Sequence, residues 1–279
     1  MTLRHAFADT RHGQIHYVAG GEAHAPRVVL LHQSPRSWDE YRDVLPLLAP
    51  AHHAVAVDSL GFGGSVRRDE HLTIEAMAEA IIDVLDQLGG PAHVVGHHTG
   101  GVVGIEVAAS RPDLVRSLVL SGVPYVDAAR RASVAADRPP IDGVEPTDDG
   151  SFLLEMWRRR ASYYPADRPD LLRRLVTDAL RVFPRMEEGH VAVNSYRMED
   201  RLPLVSAPVL AVCGEHDSFS LPDVPRLLEA APKPMGFVQL DGVGVPSVDH
   251  DPAQFAETVA AFVARIEAGS PRDSARTDA

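Results

Sequence analysis

Short, continuously apolar runs alternate with longer amphipathic stretches through most of this 279-residue sequence, and that alternation constrains the fold more than any other feature. Continuous Val and Leu runs, without alternating polar residues, are typical of parallel strands that are covered on both faces. The intervening stretches predict helices at 38–49, 73–89 and 99–110, and the second of these places Ile74, Met77 and Ile81 on one face. Strands separated by helices predict a doubly wound α/β fold with a mostly parallel sheet. The predicted strands lie within 27–32, 53–61, 92–97, 115–123, 207–217 and 236–242.

The alternation is interrupted between residues 125 and 201, where no convincing strand occurs. This stretch holds a loop rich in Pro, Asp and Gly together with helical patterns, and it predicts a helical insertion. Residues 1–124 and 202–268 then form the α/β core. The tail, 269–279, is polar and rich in small residues, so we expect it to be disordered.

The charge balance excludes some classes of partner. The sequence has 27 Lys and Arg against 39 Asp and Glu, a formal net charge of −12, whereas a protein that neutralises phosphates needs a basic surface. We therefore expect no nucleic-acid partner. No run of 18 apolar residues exists and "MTLRHAFADT" lacks an apolar signal region, which predicts a soluble cytoplasmic protein without a membrane partner. The single cysteine, Cys213, lies in an apolar run and fits a reducing compartment.

The stretch "VVGHHTGG", residues 94–101, carries the strongest functional signal. An apolar strand end runs into a glycine-framed turn and then a new apolar helix, which is the layout of the nucleophile elbow G-x-S-x-G. The spacing is kept, but the central residue is His98. That position normally has positive φ, where histidine is among the enriched non-glycine residues. Gly96 and Gly100 allow the strand and the helix to approach closely, so we expect His98 to be presented to a pocket.

Five motifs in chain order resemble those of the α/β-hydrolase family, over nearly all of residues 12–268. The resemblance implies that family's fold, with the insertion at 125–201 as its helical cap. It also implies an oxyanion hole formed by the backbone amides of Gln33 and Thr99, and a triad acid at Asp217. The five motifs are "LLHQSPRSW", "DSLGFGGS", "VVGHHTGG", "CGEHDSF" and "LDGVGVPSVDHDPAQFAETVAAFV".

The family's catalytic triad does not carry over to this sequence. His98 stands at the serine position, and Val245 stands at the histidine position when the last motif is counted back from Pro252. A covalent Ser-His-Asp mechanism is therefore not available at these positions. The imidazole of His98 reaches further than a serine, into space that Val245 vacates, so we predict a His98–Asp217 dyad. The helix N-terminus disfavours an imidazolium and the aspartate favours it, and the sequence leaves that balance open.

A base and an oxyanion hole without a nucleophile suit proton abstraction next to a carbonyl. We therefore predict an enzyme acting on a small carbonyl compound, with non-hydrolytic chemistry such as C–C bond formation or cleavage, elimination or cyclisation favoured, in specialised metabolism. One alternative is a hydrolase that activates water on an ester or lactone. The other is an inactive ligand-binding or scaffolding protein, with Asp217 only capping a loop. The sequence leaves a homodimer open.

Six further side chains are predicted to line the substrate pocket, although the same residues could instead pack the core or anchor the cap: His32, His97, Trp157, His190, Tyr196 and Val245. His250 is expected to cap a helix or face solvent. No metal is predicted, because neighbouring histidines on a strand point in opposite directions. No cofactor is predicted either, since "GFGGS" lacks the G-x-G-x-x-G spacing of a dinucleotide site.

Overall fold

An eight-stranded sheet forms the centre of the computed structural model, which describes residues 2–137 and 140–269. The strand order is β1-β2-β4-β3-β5-β6-β7-β8, with β3 to β8 parallel. This confirms the predicted α/β fold class. The strands are β1 (Arg4–Thr10), β2 (Gly13–Gly20), β3 (Arg27–Leu31), β4 (His53–Val57), β5 (Ala92–His97), β6 (Val115–Ser121), β7 (Val209–Gly214) and β8 (Pro234–Leu240).

Strands β1 and β2 form an antiparallel edge that the sequence analysis did not predict. Their sequences, "RHAFADT" and "GQIHYVAG", lack a continuous apolar run, because β1 is exposed over most of its length and β2 is only partly covered. An edge strand of an antiparallel pair needs only one apolar face, so its signal is weaker than that of a central parallel strand.

Helices cover both faces of the sheet. Side chains alternate along β3, so Val29 and Leu31 pack in the cluster that contains α2 and α3, whereas Val28 and Leu30 pack with α1 and α11. The predicted helix at 38–49 is instead a 3-10 turn, Trp38–Tyr41, followed by a single α-helical turn. The helices of the core are α1 (Leu45–Leu48), α2 (Ile74–Gln87), α3 (Thr99–Ser110), α9 (Val224–Ala230), α10 (Ser247–His250) and α11 (Pro252–Gly269).

Five α-helices lie between β6 and β7 within the described residues, and we call them the cap helices. Trp157 packs against Tyr164 and Leu171 in a small cluster that belongs to the cap helices themselves. The cap helices are α4 (Ala128–Asp137), α5 (Ser151–Ala161), α6 (Pro169–Arg181), α7 (Glu188–Ser195) and α8 (Met198–Arg201).

A buried network of charges fastens the cap helices to the core. Arg36, which follows β3 and is fully buried, pairs with Asp178 of α6 and with Asp249 of α10. Arg174 of α6 reaches back to Asp39 at 2.8 Å and to Asp249 at 3.3 Å. Removing one partner of such a network leaves an uncompensated buried charge, so the network fixes where the cap helices sit.

The predicted disordered tail, 269–279, lies outside the described residues except for Gly269, which ends α11. None of the helices in the described part of the chain combines the length and the apolar character that a membrane span requires.

Candidate active site

His98 stands between the end of β5 and the start of α3, in the sharp turn that its motif predicts. Its φ is 44°, and it is the only non-glycine residue with positive φ within 2–137 and 140–269. The glycines on either side allow the close approach. A Cβ at Gly100 would lie 2.0 Å from the carbonyl oxygen of Leu31, and one at Gly96 would lie 2.4 Å from the backbone of α3. The turn therefore requires glycine at both positions.

The structure brings His98 and Asp217 together. Nε2 of His98 lies 3.3 Å from Oδ2 of Asp217, which is within ion-pair distance, although the two atoms are not aligned as a hydrogen bond. Asp217 follows β7, and its Oδ1 accepts hydrogen bonds from the amides of Phe219 and Ser220, each at 3.1 Å. Two backbone amides thus hold Oδ1 of Asp217, and Oδ2 is turned towards the imidazole of His98.

Gly122, just after β6, makes room for this pair. Its φ is 57°, and a Cβ at this position would lie 2.8 Å from Nε2 of His98 and 3.0 Å from Oδ2 of Asp217. Gly122 was not among the predicted site residues. The available signal was a glycine directly after a predicted strand that neighbours the elbow strand in the sheet.

Burial favours a neutral imidazole at His98, and the neighbours of Asp217 keep it a carboxylate. Burial lowers the pKa of His98, and the negative charge of Asp217 offsets only part of that effect. Burial alone would raise the pKa of Asp217, but His98 and the amide of Ser220 outweigh it and lower the pKa. A neutral imidazole can accept a proton near neutral pH, and the carboxylate can stabilise the imidazolium that results.

His97 supports His98 from behind and does not line the cavity. Its ring meets that of His98 edge-on, with centroids 4.6 Å apart. Nδ1 of His97 lies 3.1 Å from Oε1 of Glu40, and both side chains are fully buried. Although burial would raise it, the pKa of Glu40 is held at about 2 by His97, Arg36 and the amide of Gln33. The prediction of His97 as a pocket residue is therefore replaced by a packing role.

The amide of Gln33 is not free to serve in an oxyanion hole. It donates a hydrogen bond to Oε2 of Glu40 at 2.9 Å, and the Gln33 side chain donates to Oε1 at 2.8 Å. The buried Glu40 thus occupies the amide of Gln33, which the resemblance implied as an oxyanion-hole donor. The amide of Ser34 donates a hydrogen bond to the Thr99 hydroxyl at 3.3 Å, and both residues line the cavity. The amide of Thr99 is therefore the remaining candidate donor for an oxyanion hole.

His32 is likewise a structural residue and not a pocket residue. Its Nε2 accepts a hydrogen bond from the amide of Ser59 at 2.9 Å, so its Nδ1 donates to the carbonyl of Gln33 at 2.8 Å. Both ring nitrogens are occupied and the side chain is buried. His32 ties the loop after β3 to the loop after β4 and contacts no cavity.

A cavity enclosing about 620 Å³ of empty space, its open mouth included, lies between the core and the cap helices. The core contributes residues that include His98, Thr99 and Val245, and the cap helices contribute residues that include His190 and Asn194. Among 2–137 and 140–269, no cluster of His, Cys, Asp and Glu is arranged to hold a metal ion.

Two of the six predicted pocket residues, His190 and Val245, do line this cavity. Trp157 packs within the cap helices, and the hydroxyl of Tyr196 is buried and donates to Glu106 at 2.7 Å. Trp157 and Tyr196 therefore fit the alternative interpretation, in which aromatic residues at helical spacing anchor the cap. His250 ends α10 and lies outside the cavity.

Comparisons with known proteins agree with this fold. A profile described as the alpha/beta hydrolase family matches residues 28–262. Epoxide hydrolase B of Mycobacterium tuberculosis is 33% identical over 154 residues, which cover 53% of this chain and 42% of that protein. Haloalkane dehalogenase 2 of Mycobacterium bovis is 34% identical over 139 residues, 48% of each chain. The matched segments thus span less than half the length of these curated relatives.

The solved structures include an epoxide hydrolase from Vigna radiata with a TM-score of 0.76. The alignment covers 94% of this chain and 98% of that one, at 19% identity, which supports a shared fold.

Proposed function

The chain belongs to the α/β-hydrolase family, and from that premise we propose that it is a small-molecule enzyme in which His98 acts as a general base. One observation carries the proposal. A neutral imidazole, held at the elbow and 3.3 Å from a buried aspartate, lines a cavity between core and cap. No serine, cysteine or carboxylate occupies the elbow position, so base catalysis is the chemistry that this residue can supply.

In the favoured reaction, His98 removes a proton from the carbon next to a carbonyl group. The electron pair of the C–H bond forms a C=C bond while the π pair of the carbonyl group moves to its oxygen, and the amide of Thr99 would hold the resulting enolate oxygen. Thr99 begins α3, so its amide is one that a helix N-terminus leaves without an intrahelical acceptor. The enolate can then eliminate a group, break or form a C–C bond, or cyclise.

The shape of the site favours this enzyme over an inactive binding protein. A remnant elbow would be expected to have its central side chain packed against apolar neighbours. The His98 side chain is instead 15% exposed, and it lines the cavity together with polar groups of Ser34 and Thr99.

Hydrolysis is the second candidate. The relatives are named epoxide hydrolases and a haloalkane dehalogenase, and the first name describes the hydrolysis of an epoxide. In this version His98 deprotonates a water molecule that attacks an ester, lactone or epoxide directly, with no covalent intermediate at the elbow.

Proton exchange tests the favoured reaction without knowledge of the natural substrate. We expect the wild-type protein in D₂O to catalyse deuterium incorporation next to the carbonyl of acetophenones, measured by NMR. His98→Ala should abolish this exchange and Asp217→Asn should slow it by roughly 10²-fold or more. Val191→Ala, an exposed change on α7, is the control and should have no effect. Equal exchange in wild type and His98→Ala would rule His98 out as the base.

Oxygen labelling tests the second candidate. In a single turnover of styrene oxide in H₂¹⁸O, direct attack by water places the label in the diol of the first turnover. A covalent carboxylate ester would instead transfer an unlabelled protein oxygen.

A further inference from the structure

The cap helices contribute a second acid–imidazole pair to the cavity. His190, on α7, lines the same cavity as His98, and its Nε2 lies 2.8 Å from Oδ2 of Asp142. This contact is shorter than that between His98 and Asp217, and it has hydrogen-bond geometry. Asp142 is buried, whereas the His190 side chain is 17% exposed. The Nε2 edge of the His190 imidazole is therefore held by Asp142, and the remainder of the ring borders the cavity.

Arg160 fixes the protonation of this pair. Its guanidinium donates to both oxygens of Asp142, from Nε at 2.7 Å and from Nη2 at 2.5 Å. Burial alone would raise the pKa of Asp142, but Arg160 and His190 outweigh it and hold the pKa well below its usual range. A carboxylate can only accept hydrogen bonds, so Nε2 of His190 carries the proton in its 2.8 Å contact with Asp142. Nη2 of Arg160 also lies 3.1 Å from Nε2, but a guanidinium can only donate, so in this tautomer the longer contact is not a hydrogen bond. In the neutral ring, Nδ1 then presents a lone pair.

Nδ1 of His190 has no hydrogen bond to any described residue. Asn194 lies one helical turn further along α7, on the same face, and it also lines the cavity. Its Oδ1 is buried and has no hydrogen-bond partner within 2–137 and 140–269. Two side chains that carry acceptor atoms therefore line the cavity from one side of one helix, and buried acceptors are costly unless a ligand satisfies them.

The charged groups of the cavity do not provide an alternative ligand chemistry. Arg160 is paired with Asp142, and Arg130 donates to Asp223 at 3.1 Å. An anionic substrate would have to compete with these acids. The lining also includes apolar side chains, among them Phe219, Val193 and Val245. The cavity thus combines apolar side chains with a pair of acceptor residues, which matches an uncharged molecule that carries a hydroxyl group.

We propose that His190 and Asn194 determine the substrate class, by accepting hydrogen bonds from a hydroxyl group on a small, otherwise apolar carbonyl compound. Asp142 is the positioning residue, because it sets the tautomer that leaves Nδ1 as an acceptor. This proposal rests on the proposed function for its carbonyl group, which His98 acts on. The hydroxyl group is recognised by the cap helices.

Matched ligand pairs test the proposal. The probes are 2-, 3- and 4-hydroxyacetophenone and the corresponding methylacetophenones, which have similar shape and lack the donor. Dissociation constants are measured by ligand-observed NMR. We expect the wild-type protein to bind the hydroxyl member of at least one pair roughly tenfold more tightly, because the methyl member leaves an acceptor unsatisfied. A wild-type protein with no preference in any pair, or with no binding at all, overturns the proposal.

Three variants test which residues produce the preference for the hydroxyl member. His190→Phe keeps a ring and removes the acceptor, and Asn194→Leu removes the amide. Each variant should reduce the ratio of the two dissociation constants, methyl member over hydroxyl member, towards one. The affinity for the methyl member should stay within about twofold of the wild-type value. Asp142→Asn allows the other tautomer of His190 and should weaken the preference without touching the ligand. Retention of the full ratio in His190→Phe overturns the proposal even if Asn194→Leu behaves as expected.

Two controls separate this proposal from the proposed function. Val191→Ala, on the same helix, should retain the ratio. His98→Ala should also retain it while losing proton exchange. Loss of exchange with the hydroxyl preference intact therefore tests His98, and loss of the preference with exchange intact tests His190.

Discussion

His98 occupies a backbone conformation that most side chains avoid, with φ 44° and ψ −110°. The surrounding hydrogen bonds hold it there, since its amide donates to the carbonyl of Ser121 and its carbonyl accepts from the amides of Gly101 and Val102. Conformations of this kind persist only where neighbouring structure imposes them, and they are concentrated at functional sites. At the residue scale, the backbone conformation of the turn therefore sets where the side chain at position 98 is presented, and the identity of that side chain sets the chemistry.

Gly122→Ala should separate the dyad while leaving the fold intact. The added Cβ would lie 2.8 Å from Nε2 of His98 and 3.0 Å from Oδ2 of Asp217, so the imidazole must move. We expect the rate of proton exchange to fall at least about tenfold, and the free energy of unfolding to fall by about 1 kcal/mol because φ is positive. Exchange by NMR and denaturant unfolding measure the two effects.

Gly150→Ala is the matched control for this substitution. Gly150 has φ 75°, and a Cβ there would meet no atom within 4 Å. It should cost a similar amount of stability and leave the exchange rate unchanged. Equal losses of activity in both variants would mean that backbone strain, and not displacement of His98, explains the result.

Part of this site could be predicted from single residues in the sequence. The spacing of the motifs located His98 and Asp217, and it placed Val245 where a histidine would otherwise stand. The capture of the Gln33 amide by Glu40 was not predictable, because it depends on how the loop after β3 folds back onto itself. The pair of Asp142 and His190 was not predicted either, since its members are 48 residues apart and meet only in the folded cap.

At the scale of elements, the contact between α6, α10 and the loop after β3 is the most heavily charged junction. Burial raises the pKa of Asp249 to about 6, and the charges of Arg36 and Arg174 offset only part of the increase. Glu40, Asp178 and Tyr164 also face this group. The junction is thus a place where folding and protonation are linked.

Asp249→Asn should change the dependence of stability on pH. An aspartate whose pKa is raised on folding binds its proton more tightly in the folded chain, so its contribution to stability decreases as the pH rises from about 4 to about 6. Asparagine stays neutral throughout. We expect the wild type to lose about 2 to 3 kcal/mol relative to Asp249→Asn between pH 4 and pH 7. Denaturant unfolding at a series of pH values measures this difference.

Asp170→Asn is the control for this pH dependence. Asp170 is also on α6, but it is exposed and Arg168 lowers its pKa, so its effect should have the opposite sign. A difference between wild type and Asp249→Asn that does not vary with pH would contradict the assignment of the raised pKa to Asp249.

Among the elements, those with continuous apolar patterns were predicted best. The predicted strand at 92–97 and helix at 99–110 coincide with β5 and α3. The antiparallel edge of β1 and β2 was missed, because exposed edge strands carry few apolar residues. The predicted helix at 38–49 was wrong over most of its length, since the buried Asp39 and Glu40 of its first turn form tertiary contacts that a regular helix does not require.

For the whole molecule, the sheet topology explains why the site forms where it does. His98 follows β5 and Asp217 follows β7, and these strands are parallel with β6 between them. Their carboxyl ends therefore meet at one edge of the sheet, which is where ligands bind in open α/β folds. The cap helices close the cavity over that edge.

The same scaffold should accept a different chemistry. We expect the wild type to hydrolyse p-nitrophenyl acetate weakly or not at all and to show no burst, because it lacks the serine and the triad histidine. The double variant His98→Ser with Val245→His should gain esterase activity, measured as p-nitrophenol release, and each single variant should gain much less. A wild-type burst with a trapped acyl-enzyme would contradict the absence of a covalent step.

The titration of His98 itself tests the central claim most directly. NMR of histidine-labelled protein gives its pKa, and the pH dependence of proton exchange gives the pKa of the catalytic base. We expect both below the ordinary value of 6.5, with exchange increasing as the imidazole loses its proton. In Asp217→Asn both should move further down, because the charge that favours the imidazolium is gone. An exchange rate that stays constant across the titration of His98, or a pKa that Asp217→Asn leaves unchanged, would contradict the account.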